Sequence, residues 1–561
     1  MARIRLRPWQ RAALDAYATA TRPDFLAVAT PGAGKTTFAL TAVAQALAER
    51  RARNVVVVAP TQHLKTQWSQ AAHRFGLHLD PDWSARNGVL PTDMHGIVTT
   101  YQQVATSAAP LRALSAGSFV VLDEVHHAGD DRAWGTAILE AFEPAALRLS
   151  LSGTPFRSDT SAIPFVEYHL DEALADFEYG YGDALVDRGV VRPVYFPRFG
   201  GEMEWVSTDG NEVAASFDDD LTRDLANQRL RASLSLDGDW LATVLGEANQ
   251  RLMAIRQTQP DAAGLVIATD QNHARGIVEL LRRRFGQRAS VATSDDPMAS
   301  ARIARFAATD EPWIVAVRMI SEGVDIPRLR VGVFATNTTT ELFFRQAVGR
   351  LVRWTRGVRS QKSYLFIPDD PRLRRWASSI AEQRRHSLAK RQEDDEFGSD
   401  GAGFEGAGLD DRDRPAEEDD EQQSLFSVIS AVASDGGTEL GGHHDGFDDD
   451  DWGDDEHHLH EMAGLDIDLV VPPPPGLSVN ALAGELAADG DVPEKSRTQI
   501  RNELREANSA AVQELARYVK LSHQQINAEL NRLTGIRRVT EATIGELEAR
   551  LEKANQWLRK I

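Results

Sequence analysis

The sequence predicts an α/β protein: two tandem parallel-sheet domains, then an acidic linker, then a small C-terminal helical domain. Three observations carry this. Short β-branched runs alternate with amphipathic stretches over roughly the first 370 residues, the pattern of parallel strands buried on both faces and joined by helices. The alternation occurs twice in succession. From about residue 385 it gives way to Asp, Glu and Gly, and helical periodicity returns only from Lys495. A chain of 561 residues is in any case too long for one core.

In the first domain, residues 1–196, strands are predicted at 25–30, 55–60, 96–101, 119–124 and 148–155. A partly helical connector, 197–260, follows. The second domain, 261–384, has predicted strands at 264–269, 289–293, 313–319, 330–336 and 363–368, with a helix over 271–284. Residues 385–475 read as a largely disordered acidic linker, because their composition cannot bury enough apolar surface to fold alone. Pro472 to Pro475 close it as a stiff polyproline step. Residues 476–561 read as a helical accessory domain of about three helices with a turn at Gly535.

Composition narrows the function classes. The net charge is −21, but from Glu393 to Glu461 there are 25 Asp/Glu against only Arg412 and Arg414, a local −23. The rest carries 60 Lys/Arg against 58 Asp/Glu and is able to meet a polyanion. Cysteine is absent, which excludes disulfides, thiolate zinc sites, iron–sulfur clusters and cysteine nucleophiles. No run approaches the eighteen or so apolar residues of a membrane span, and the start lacks the apolar core of a signal peptide. A cytoplasmic, nucleoid-associated protein without a membrane partner is the expectation.

The strand 25–30 runs straight into Thr30-Pro31-Gly32-Ala33-Gly34-Lys35-Thr36-Thr37. Glycines there let backbone N–H groups wrap phosphates at the positive end of the next helix. Lys35 is placed to reach the β- and γ-phosphates, and Thr36 to hold Mg²⁺ through its hydroxyl. Ala29 stands where the strict loop pattern has glycine. About ninety residues on, the apolar run Phe119-Val120-Val121-Leu122 ends in Asp123-Glu124-Val125-His126. Asp123 is the candidate Mg²⁺ ligand, and Glu124 the candidate base that orients and deprotonates the attacking water. Alone, such an acidic pair also describes a solvated strand end; the phosphate loop upstream makes it part of a nucleotide site.

These residues resemble superfamily 2 helicases and translocases of the Asp-Glu-x-His type, in a bacterial branch with XPB-like, RadD-like and restriction motors. The other motifs of that family stand in order. Leu6-Arg7-Pro8-Trp9-Gln10 is similar to its adenine-recognition element, and Ala59-Pro60-Thr61 and Thr99-Thr100-Tyr101-Gln102 to its motifs Ia and Ib. Ser152-Gly153-Thr154-Pro155 is similar to motif III and Ser321-Glu322-Gly323-Val324-Asp325 to motif V. Gln346-Ala347-Val348-Gly349-Arg350-Leu351-Val352-Arg353 is similar to motif VI.

The resemblance covers about residues 3–370. It implies RecA-like domains, the first ATP-binding, and ATP with Mg²⁺ as cofactors. It places Gln10 on the adenine, Gly323 and Asp325 at the nucleotide, and Thr61, Thr100 and Gln102 on the nucleic-acid backbone. His126, Ser152, Thr154 and Gln346 would couple hydrolysis to movement. Arg350 and Arg353, three apart on one predicted helix face, would bring guanidinium charge to the transferring phosphoryl. The implied activity is a DNA-dependent ATPase, helicase or duplex translocase, in repair, recombination or phage defence. The motifs leave open a motor subunit of a restriction-like complex with other protein subunits, a nucleotide-gated scaffold, and an RNA helicase.

Outside the motor motifs, Gln422-Gln423-Ser424-Leu425-Phe426 resembles short peptides that dock on the bacterial sliding clamp. The apolar residues continuing through Val432 equally suit a short helix packing back on the motor. Trp68 and Trp354 offer either base stacking or core packing. His443, His444, His457, His458 and His460 are spaced too irregularly for a metal site and read as solvated. The C-terminal stretch from Glu494 has 13 Lys/Arg against 9 Asp/Glu, and suits a DNA-gripping module or a partner-binding bundle.

Overall fold

The computed structural model describes residues 2–85, 90, 92–129, 132–153, 162–169, 172–187, 189–293, 298–317, 326–355, 357–358, 361–397, 427–433, 465–474, 497–519, 521–539 and 542–560. The chain divides into two units, one of Met1–Ala27, Gly34–Glu178 and Ala463–Ile561, the other of Val28–Ala33 and Tyr179–Met462.

The first begins β1 (Ala2–Leu6), α1 (Pro8–Thr19), β2 (Asp24–Ala29), α2 (Lys35–Ala48), β3 (Val55–Ala59), α3 (Gln62–Arg74) and β4 (Leu79–Asp80). It continues β5 (Gly96–Thr100), α4 (Tyr101–Thr106), α5 (Ala108–Ser115), β6 (Phe119–Leu122), α6 (Arg132–Phe142) and β7 (Leu147–Ser152). A small hairpin of β8 (Tyr168–His169) and β9 (Glu172–Ala173) precedes β10 (Phe177–Tyr179). Seven strands form one sheet in the order β10-β2-β7-β6-β3-β5-β4. Parallel pairing joins β5 to β3, β3 to β6 and β6 to β7. Every residue of β3 and β6 is buried. Runs of valine suit such strands, since a stiff β-branched side chain loses little freedom on a pleated surface covered on both faces.

β5 starts at Gly96 for a steric reason: a Cβ there would lie 1.9 Å from the Val55 carbonyl oxygen. Gly96→Ala must push two backbones apart. A loss of about 1–3 kcal/mol is expected, read as a lower denaturant midpoint; an unchanged midpoint would show that β3 and β5 have room to spare.

The second unit runs α7 (Tyr181–Val186), β11 (Val194–Tyr195), β12 (Arg198–Phe199), β13 (Gly201–Val206), β14 (Glu212–Ser216), α8 (Arg223–Ser233) and α9 (Asp239–Arg256). Then come β15 (Ala263–Ala268), α10 (Gln271–Phe285), β16 (Ala289–Ala292), α11 (Ala299–Ala307), β17 (Trp313–Val317) and β18 (Leu329–Ala335). α12 (Glu341–Leu351), β19 (Ser363–Pro368), α13 (Pro371–Phe397) and β20 (Ser427–Ala433) complete it. Its main sheet has the order β11-β19-β18-β15-β17-β16, with β12 also beside β19. Both parallel α/β sheets are therefore present, each with the five strands predicted for it.

Two stretches differ from their prediction. The partly helical connector does carry α8 and α9, but β13 and β14 precede them and make an antiparallel sheet of order β14-β13-β20. Along β13, Met203 and Trp205 are buried while Glu202 and Glu204 are exposed. Met203, Trp205 and Trp240 share one core with Val266, Trp313 and Val331 of the main sheet. The linker prediction also changes. α13 extends to Phe397, and the apolar run, for which a short packing helix is one of two readings, forms over Ser427–Ala433 the strand β20, paired along β13. A β-branched segment beside an open sheet edge gains a full ladder of backbone hydrogen bonds by joining it.

β21 (Leu465–Leu469), from the same predicted linker, belongs to the first unit. It lies antiparallel to β1, with Ala2 opposite Leu469 and Leu6 opposite Leu465. Three helices follow: α14 (Arg497–Tyr518), α15 (His523–Thr534) and α16 (Ile544–Leu558). Gly535, at φ +73°, ends α15. Val512, Leu515, Ile526, Leu530 and Ala554 form their core, and the buried Arg550 donates to the side-chain oxygens of Asn508, Asn527 and Asn531. The bundle is fastened to the first unit by a buried ion pair between Arg501 and Asp80 and a bond from Asn502 to Asp82. Asp93 adds a third fastening by accepting the Ile544 N–H. Among the described residues no helix is long and apolar enough to cross a membrane.

Candidate active site

β2 leads directly into the loop that opens α2. Gly32 and Gly34 have φ of +86° and +98°, values that a residue with a Cβ adopts only under strain. The loop closes on itself through Ala33 N–H to the Thr30 carbonyl. Gln10, 2 % exposed, is fixed at both ends of its amide: Nε2 donates to the Gly34 carbonyl at 2.9 Å, and Oε1 accepts the Arg7 N–H at 2.8 Å. A Cβ on Gly34 would meet that Nε2 at 2.8 Å, so a side chain there would displace the Gln10 amide as well as strain the backbone.

The two carboxylates sit in contrasting surroundings. Lys35 Nζ donates to Glu124 Oε1 at 2.7 Å, and the Gly153 N–H donates to Oε2 at 3.0 Å. The His126 Nδ1 stands 3.7 Å from the same Oε2. Burial alone would raise the Glu124 carboxyl; the charges of Lys35 and His126 and these hydrogen bonds outweigh it and hold the pKa below the usual carboxylate range. Asp123 is pushed upward, first by burial and then by the neighbouring Glu124 charge. Its Oδ2 accepts the Trp68 indole N–H at 2.8 Å, and its backbone carbonyl accepts the Tyr101 hydroxyl at 2.8 Å. Glu124 has φ +47°, a left-handed conformation that costs a glutamate on the order of 1–3 kcal/mol.

This donor set fits a magnesium nucleotide. The paired left-handed glycines leave a cradle without Cβ atoms, α2 presents its N-terminal end, and Lys35 supplies the cation. Thr36 and Asp123 offer the oxygen ligands a hard divalent ion takes. Among the described residues no group of three or more His, Asp and Glu is arranged to hold a metal on its own.

The predicted nucleic-acid residues take defined places. Thr61 caps α3 and Thr100 caps α4, each hydroxyl accepting a backbone N–H of the first turn, while Gln102 is exposed. Trp68 is packing and hydrogen bonding, not a free stacking platform, being 2 % exposed; Trp354 is half-buried. Ser152 is fully buried at the end of β7. Thr154, Gly323, Asp325, the segment Gln422 to Phe426 and the five linker histidines lie outside the described residues.

In the second unit Gln346 and Arg350 lie on α12, but Arg353 does not share their helix face. The helix ends at Leu351, with Val352 as its cap, and Arg353 pairs with Val191 as an isolated antiparallel bridge. The cause is Arg192, a residue the motifs do not indicate. Its N–H donates to the Val352 carbonyl, and its guanidinium donates to the carbonyls of Arg353 and Pro327 and to the Thr355 hydroxyl. Those bonds hold the backbone just beyond the helix end. Fully buried beside Arg330, Arg192 has its pKa pulled well below the ordinary value. Within the same unit, which also takes in Val28–Ala33, Arg353 Cγ lies 3.5 Å from where a Gly32 Cβ would sit.

Residues 3–157 match the family described as type III restriction enzyme, res subunit. That stretch is therefore similar to the restriction-enzyme family the match describes. Over 392 residues it is 45 % identical to uncharacterized proteins of Mycobacterium leprae and Mycobacterium tuberculosis, covering 69 % of this chain and 65 % of each relative. The chain thus spans just under two thirds of those relatives' length. Among solved structures, a fragment of an HsdR subunit of a type I restriction enzyme from Vibrio vulnificus aligns at TM-score 0.47 and 18 % identity, over 66 % of this chain and 65 % of that one. The type ISP restriction-modification enzyme LlaBIII bound to DNA aligns at 0.45 and 16 %, over 68 % and 29 %. Beyond the motifs read from the sequence, the first unit has a Trp68 and Tyr101 pair on Asp123. Trp68 falls two helical turns after Thr61 on α3.

Proposed function

We propose that the chain is an ATP-dependent DNA motor, a helicase or duplex translocase, acting in the cytoplasm in repair, recombination or defence. The observation that carries this is the Lys35–Glu124 pair beside the glycine loop, with Asp123 oriented next to it. Without nucleotide, each member of the pair occupies the other. A polyphosphate competes for the Lys35 ammonium and so frees the Glu124 carboxylate to accept a proton from water. Bound Mg²⁺, held by Thr36 and Asp123, would supply charge neutralisation at the phosphates. Gln10 orients the adenine, and Arg350 and Arg353 bring the positive charge that a developing phosphoryl transition state requires.

The test is the steady-state ATPase rate without nucleic acid and with single-stranded DNA, duplex DNA or single-stranded RNA, using Lys35→Ala as the blank. DNA stimulation that is absent in the blank and falls steeply with salt is expected, since backbone contacts release counterions. Stimulation by RNA alone would replace DNA with RNA in the assignment. A rate indifferent to all three points to the second reading, a restriction-like motor subunit awaiting its partner, which the matched family description favours.

A further inference from the structure

Both helices assigned to the nucleic-acid face end their reach on the same carboxylate residue. α3 starts at its cap Thr61, and two turns on, Trp68 donates its indole N–H to Asp123 Oδ2 at 2.8 Å. α4 starts at its cap Thr100, and its first residue, the fully buried Tyr101, donates its hydroxyl to the Asp123 carbonyl at 2.8 Å. The Trp68 bond is charge-assisted and lies in a water-poor setting, where such bonds are strong. With Oδ2 held by the indole, rotation of the carboxylate is restrained, and the Glu124 backbone N–H adds a second restraint. Tyr101 is steadied independently: its ring stacks on Trp134, with centroids 6.4 Å apart and planes at 8°. A shift of either helix at its capped start therefore reaches Asp123 through one side chain.

We propose that Trp68 and Tyr101 are positioning residues that couple occupancy of the nucleic-acid face to Mg²⁺ binding at Asp123. The proposal rests on reading the starts of α3 and α4 as that face. A phosphate bound at either helix start favours the arrangement in which Asp123 is aimed, so nucleic acid lowers the Mg²⁺ concentration that nucleotide binding needs. Coupling of this kind is reciprocal: Mg²⁺ and nucleotide tighten nucleic-acid binding by the same factor.

The experiment uses the full chain and the variants Trp68→Phe and Tyr101→Phe, which keep a ring and delete a donor. Binding of a fluorescent non-hydrolysable ATP analogue is titrated with Mg²⁺, with and without a saturating DNA oligonucleotide. In the wild type the oligonucleotide is expected to lower the Mg²⁺ midpoint. Trp68→Phe is expected to raise the midpoint about tenfold and to shrink the oligonucleotide effect, with oligonucleotide affinity in the absence of nucleotide unchanged. Tyr101→Phe gives the same result more weakly and stands in should Trp68→Phe fail to fold. Midpoints and oligonucleotide effects equal to wild type in both variants would overturn the proposal while leaving the motor assignment intact. A wild-type chain that binds no oligonucleotide and shows no stimulated ATPase would overturn the underlying assignment and this proposal together.

Discussion

Glu124→Gln is expected to lower ATP turnover by about 100- to 10,000-fold, the usual worth of a positioned general base. Nucleotide affinity is expected to hold or rise. The neutral amide keeps the shape of the carboxylate but no longer forms the ion pair with Lys35, so the ammonium is released to the phosphates without competition. Single-turnover hydrolysis and equilibrium binding of a fluorescent nucleotide separate the two effects. Turnover within about tenfold of wild type would remove Glu124 from the role of base. The pair also contributes to stability with a defined sign. Against burial, the Lys35 and His126 charges hold the folded-state pKa of Glu124 below its ordinary value, so its stabilisation is present at neutral pH and is lost as pH falls below the ordinary carboxylate range. The Gln variant is expected to lack this segment of the acid-unfolding curve.

The second large effect is expected at Arg192. Its guanidinium holds the carbonyls of Pro327 and Arg353 and the Thr355 hydroxyl from a fully buried position. Arg192→Leu fills similar volume but strands those acceptors, each at a cost of about 1–3 kcal/mol. Removing the desolvated cation offsets part of that. A net loss of about 3–5 kcal/mol follows, a fall of roughly 10 °C in melting temperature for a unit of this size. The hydrolysis rate should fall with it, because Arg353 loses the bond that sets its backbone. Arg192→Lys, which restores one donor in place of a fork, is expected to lie between. A melting temperature within about 2 °C of wild type in Arg192→Leu would show that the carbonyls find other donors.

Much of this architecture was legible because strand burial on both faces leaves an unmistakable mark: Val55 to Val58 admit few other readings. The glycine loop before α2 was legible for a different reason, since left-handed Gly32 and Gly34 before Lys35 satisfy a backbone demand few other residues meet. β13 was legible in principle: Met203 and Trp205 alternate with two glutamates, a period of two. It was obscured because its partner β20 lies over two hundred residues away in a tract dominated by acidic residues. Arg192 and Trp68 were hidden more deeply. Their importance lies in which carbonyl or carboxylate the fold brings within 3 Å, and neither residue type nor local spacing encodes a long-range acceptor. The displacement of Arg353 from the α12 face has the same origin. The i, i+3 rule holds only while the helix lasts, and a tertiary bond ends it at Leu351.

The pairing of β1 with β21 bears on how the chain comes to be folded. Arg3 lies opposite Asp468, so the edge beside α1 closes only after more than four hundred intervening residues have been made. Contacts so distant in sequence form late and slowly, because a long loop must be closed before they give any return. A ribosome-bound chain therefore emerges with this first strand unpaired, and it stays so until residues 465–469 have been made. A fragment cut short before that point would contain the glycine loop and the Asp123–Glu124 pair yet lack the strand that pairs with β1.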